Sequence, residues 1–148
     1  MTKILVPILV LAAGLCGCGE EHRVDVSQKD EFRRLVGMQY EVTGSVDAYG
    51  IRSYSRPEVV YVTLIPLPGI SGPEVGYRIP LKLGSKVTIR KVIETNRAFD
   101  PNMSYEVLLE GTQLPTAVPV RIDLFRGNQG DSPMELNPKL YRSLKASN

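Results

Sequence analysis

Histidine, cysteine and long apolar runs are all scarce in this chain, and each scarcity removes a class of function. The 148 residues include one histidine, His22. Ser/His and Cys/His nucleophilic catalysis need an imidazole packed beside the nucleophile. His22 sits in a polar, charged stretch, so it reads as a solvated residue and those chemistries lack their base. The two cysteines, Cys16 and Cys18, are too close in sequence for an easy disulfide. They support neither a Cys/His zinc cluster nor a disulfide scaffold. Net charge is only +2, without the basic excess that drives binding to nucleic acid. The apolar run Ile4 to Leu15 has 12 residues. A helix rising ~1.5 Å per residue needs roughly 20 residues to cross a bilayer core. No nucleic-acid partner, metal or cofactor is expected.

What is present fits one globular domain. The composition is 43% hydrophobic and 23% charged, enough to bury a core. Thirteen glycines and 11 prolines fall between short apolar runs. That arrangement favours turns and short strands over long helices.

The N-terminus reads as a targeting signal. Met1-Thr2-Lys3 is a short basic start, and the apolar run follows directly. It ends in Leu15-Cys16-Gly17-Cys18, which resembles the lipobox of bacterial lipoproteins. The resemblance covers about the first 20 residues. It implies cleavage after Gly17 and lipid attachment to the Cys18 thiol. Leu15 and Gly17 would be the positions recognised by the peptidase. Cys16 fills a place that family usually gives to Ala, Ser or Thr, and it is comparably small. Gly19 rather than Asp follows the cysteine, which in Gram-negative lipoproteins resembles sorting to the outer membrane, facing the periplasm. Leaving out Lys3, residues 18–148 carry 17 Lys and Arg (one fewer than 18) against 16 Asp and Glu.

The expected organisation is a signal peptide over 1–17, a tether over 18–26 and one β-rich domain over 27–148. Ser27, with Asp30 three residues on, predicts a helix start. Phe32, Leu35 and Val36 share a face before Gly37, so a short helix is expected over 27–36. The period then changes to two. Strands are expected around Tyr40–Gly44, Val59–Ile65, Arg78–Leu83, Lys86–Ile93, Tyr105–Glu110 and Val118–Phe125, with Gly84-Ser85 as a tight turn. Leu140, Tyr141 and Leu144 predict a short C-terminal helix over 138–145. The fold class is mainly β, with five to six short strands in a small barrel or sandwich. The stretch Ile79 to Val92 resembles the middle strands of SH3-like barrels, and an OB-like barrel reads almost the same way.

Candidate sites are few. Arg78, Lys82, Lys86, Arg90, Lys91 and Arg97 lie close together, with Glu94 the one acid among them. Even offsets place Lys82, Lys86 and Arg90 on one face of an extended chain. Such a stripe, with Arg78, suits anionic lipid or cell-wall material, and equally a solvated sheet face. Leu67 and Ile70 lie in an apolar, turn-rich segment that either offers a docking tip or folds back over the core. Glu94, Asp100, Glu106, Glu110 and Asp123 are the carboxylates available for acid–base work. Asp100, Asn102 and Ser104 begin a calcium-loop spacing, but Tyr105 and Gly111 occupy its sixth and twelfth positions, so the motif fails. The leading expectation is a membrane-anchored, non-enzymatic module that binds another envelope protein. The alternatives are an anionic-surface binder and a carboxylate-dependent hydrolase.

Overall fold

A computed structural model describes residues 22–97 and 100–144, with backbone alone for 96, 97, 100 and 101. The chain is mainly β. The strands are β1 (His22–Asp25), β2 (Gln39–Val42), β3 (Val46–Ser53), β4 (Arg56–Pro66), β5 (Val75–Pro80), β6 (Lys86–Arg97), β7 (Asp100–Glu110), β8 (Val120–Asp123) and β9 (Tyr141–Leu144). One helical turn, α1 (Asp30–Arg33), follows β1. All nine strands join one sheet in the order β5-β3-β4-β8-β7-β6-β2-β9. β1 pairs with the far half of β6. Among the described strands only β4 and β8 pair in parallel. The path is open, ending at β5 and β9, so of the expected barrel or sandwich the closed barrel is not what forms.

The open sheet still wraps one core. Val46 and Ala48 of β3, Val62 and Leu64 of β4, Tyr105 of β7, Ile122 of β8 and Tyr141 of β9 share a single buried cluster. Alternation sends every second side chain into it. On β6 the parity changes, because Val87 and Ile89 point inward and so does Val92. A bulge at Arg90 supplies the extra residue: Ile89 pairs with Val107 while Lys91 pairs with Glu106.

Several expectations need correction. The helix over 27–36 shrinks to one turn, and Ser27 does not cap it. Its hydroxyl instead donates to Asp25 and accepts from the Val92 N–H at 2.9 Å. The bond that the Ser27 hydroxyl donates draws the Asp25 carboxyl below its ordinary pKa. Within the tether span, His22–Asp25 form β1. The turn at Gly84-Ser85 exists, with Gly84 at φ +85 and the Ser85 N–H donating to Lys82 O. It does not close a hairpin, because β5 pairs with β3 and β6 pairs with β7 and β2. The C-terminal helix is replaced by β9, paired antiparallel with β2. Tyr141 anchors it from within the core, its hydroxyl donating to Asn128 Oδ1 at 2.9 Å.

Candidate functional site

The chemistry gathers on the sheet face turned away from the main core. Strand parity sets Asp47, Tyr49 and Ile51 of β3 beside Tyr61, Thr63 and Ile65 of β4. Arg121 and Asp123 of β8 continue the row, then Glu106 and Ser104 of β7, then Lys91 and Ile93 of β6. The apolar part is a second small cluster. Tyr49, Ile51 and Ile65 are buried there beneath Ile70, from the segment between β4 and β5, and Val75, the first residue of β5. Gly69 makes this cover possible. It sits at φ +80, and a Cβ there would lie 1.8 Å from the Tyr49 hydroxyl.

The polar part is a mosaic of paired charges. Arg78 Nε donates to the buried Asp47 carboxylate at 2.5 Å, and its guanidinium lies 5.7 Å from the Tyr49 ring centre. The hydrogen bond to Asp47 raises the Arg78 pKa above its ordinary value. Arg121 and Arg23 stand 4.3 and 5.1 Å from the centre of the Tyr61 ring, within cation–π range. Thr63 Oγ1 donates to Asp123 Oδ2 at 3.0 Å, and Arg126 Nε is 3.7 Å from the same oxygen. Lys91 Nζ is 3.3 Å from Glu106 Oε1. Among the described residues no three His, Cys, Asp or Glu side chains gather at metal-binding distance.

The four basic candidates do not form one stripe. Arg78 is on β5, Lys82 lies between β5 and β6, Lys86 opens β6 and Arg90 occupies its bulge. All four are exposed, but acids stand close to two of them. Arg78 is held by Asp47, and Lys86 is in register with Glu41 on one side and Glu110 on the other. The even-offset reading assumed one unbroken strand, and the turn and the bulge break it. The proposed docking segment divides: Leu67 is 53% exposed, whereas Ile70 packs back against Tyr49 and Ile65. Of the carboxylates, Glu106 and Asp123 share a face, each engaged by a cation. Glu94 is 3.4 Å from Lys29 Nζ, Glu110 lies at the far end of β7, and of Asp100 only the backbone is described. Cys18 lies outside the described residues, as do Cys16, Gly17 and Gly19.

Sequence reasoning missed the Arg23–Tyr61–Arg121 stack and the Asp47–Arg78 pair. Their signal was present only as isolated charges on alternating strands. Which strands adjoin is decided by pairing between distant segments, and no local pattern carries that. No family model, curated protein or solved structure matches the chain.

Proposed function

We propose that this is a lipid-anchored bacterial envelope protein whose β-rich domain works by binding another envelope protein rather than by catalysis. Acyl chains on Cys18 hold it in the outer membrane, facing the periplasm. The observation that carries this reading is the basic start, the 12-residue apolar run and Leu15-Cys16-Gly17-Cys18 in immediate succession. Binding is favoured over carboxylate-dependent hydrolysis by the state of the acids. Glu106 and Asp123 each have a neighbouring cation, Lys91 at 3.3 Å and Arg126 at 3.7 Å, and lie in a row of paired side chains rather than in a cleft shared by two free carboxyls. Kinship with SH3-like or OB-like modules belongs to the same proposal, supported by strands that bury one shared core. Crosslinking in intact envelopes followed by affinity capture should recover one specific protein repeatedly. Repeated recovery of none would count against the reading.

A second reading, binding of anionic lipid or cell-wall material through Arg78, Lys82, Lys86 and Arg90, is supported by the exposure of all four. Such binding weakens with salt and with the Lys82→Glu, Lys86→Glu, Arg90→Glu triple change. Binding unaffected by that change would remove it.

A further inference from the structure

Strand register collects several chain ends on one rim of the sheet. His22 of β1 is opposite Asn96 of β6, which is opposite Pro101 of β7. Further along β7, Ser104 is opposite Asp123, the last residue of β8. The chain therefore leaves β8, through Leu124 and Phe125, at the same end. β4 runs parallel to β8, with Thr63 beside Arg121, so β4 also finishes there, at Pro66. The two exits touch. A Cβ on Gly127 would sit 3.1 Å from the Pro66 ring. Two apolar side chains project from these adjoining loops, Leu67 at 53% and Phe125 at 43% exposure. Arg126, the cation beside Phe125, is paired with Asp123.

Covalent geometry limits how far this rim can stand from the membrane. Four peptide steps separate Cys18 from His22, so a lipidated Cys18 keeps His22 within about 14 Å of the membrane surface. The rim from β1 across β6, β7 and β8 to β4 is about 19 Å wide, at ~4.8 Å per strand. Leu67 and Phe125 thus lie at the end of the sheet where the anchor attaches. The β3–β4 turn carrying Tyr54, which is 100% exposed, is at the opposite end. It is about 23 Å away along β3.

We infer that this rim, through Leu67 and Phe125, seats on the lipid bilayer interface beside the anchor and fixes the orientation of the domain. The inference rests on the lipidation of Cys18 proposed above. Insertion of two apolar side chains beside an acyl anchor removes apolar surface from water. With Arg126 already paired, it does not depend on anionic lipid. Contact made by Leu67 and Phe125 is apolar and depends little on salt, unlike binding through Arg78, Lys82, Lys86 and Arg90.

The chain contains no tryptophan, so a single introduced indole is an unambiguous reporter. Full-length chains carrying Leu67→Trp, Phe125→Trp or Tyr54→Trp are expressed with a clickable fatty acid. They are then reconstituted in phosphatidylethanolamine–phosphatidylglycerol vesicles with brominated acyl chains. The expected result is strong quenching and a blue shift for Leu67→Trp and Phe125→Trp at low and high salt, and none for Tyr54→Trp. A labelled chain whose rim indoles remain unquenched, or are quenched no more than the Tyr54→Trp reporter, overturns the orientation and leaves the anchor standing. A chain that takes no label overturns the anchor and this inference with it.

Discussion

Asn128 ties three strands together from inside the core. It is fully buried. Its Nδ2 donates to Leu64 O at 2.8 Å and to Asp123 O at 3.1 Å, and its Oδ1 accepts from Tyr141 at 2.9 Å. It thereby links β4, β8 and β9. Asn128→Ala removes three bonds and leaves the Tyr141 hydroxyl stranded in a buried site that already raises its pKa. Each buried polar group left unpaired costs roughly 1–3 kcal/mol. The two carbonyls retain a second lone pair, so the sum falls at about 3–5 kcal/mol. That is a large share of a typical domain stability of ~5–15 kcal/mol. Tyr141→Phe strands only Asn128 Oδ1 and should cost about 1–2 kcal/mol. The double variant should cost less than the two single changes added together, because they break one shared bond. Urea unfolding followed by far-UV circular dichroism reads all three, with the denaturant slope unchanged. An Asn128→Ala chain within about 0.5 kcal/mol of the parent, the range of ordinary surface changes, would refute the linkage.

Gly69→Ala should destabilise by about 2 kcal/mol or more, since it combines a positive φ with a Cβ placed against the Tyr49 hydroxyl. Adding Tyr49→Phe should restore part of that loss in the same unfolding assay, and no restoration would contradict the contact. Asp25 has a lowered pKa in the folded chain, chiefly through the Ser27 hydroxyl. Its small contribution is present above the ordinary carboxylate range and is lost as pH falls through the lowered value. Ser27→Ala should move the Asp25 titration upward by NMR and flatten stability across that acid window, and an unchanged titration would refute the assignment. Asp47→Asn should lower stability and leave Arg78 without its carboxylate partner. The matched Asp47→Asn, Arg78→Met change should recover part of the loss, and full additivity would argue against a coupled pair.

The mainly β class was legible because alternation is local. Val120, Ile122 and Leu124 face the core as their spacing predicts, and Val59 to Ile65 lies within β4. Elements whose state depends on a distant partner were not legible. Leu140, Tyr141 and Leu144 carry helical spacing, yet β9 is a strand because β2, about a hundred residues earlier, offers an edge. β3 was overlooked because Gly50 and its polar residues blur the alternation. That glycine is required where the Tyr77 ring passes 2.4 Å from a would-be Cβ. The Lys82–Lys86–Arg90 stripe failed for a comparable reason, since one turn and one bulge suffice to reset parity. The polar face with Asp47, Arg78, Tyr61 and Arg121 exists only once β3, β4, β5 and β8 lie side by side.

The proposed lipid anchor is a covalent bond, and labelling at Cys18 decides whether it forms. Cells grown with a clickable palmitate analogue should yield a labelled, membrane-bound product from the parent chain. Cys18→Ala should yield an unlabelled one, and Cys16→Ala should leave the label in place. A Cys18→Ala chain that still takes the label, or a parent chain that never does, would rule out lipidation at Cys18.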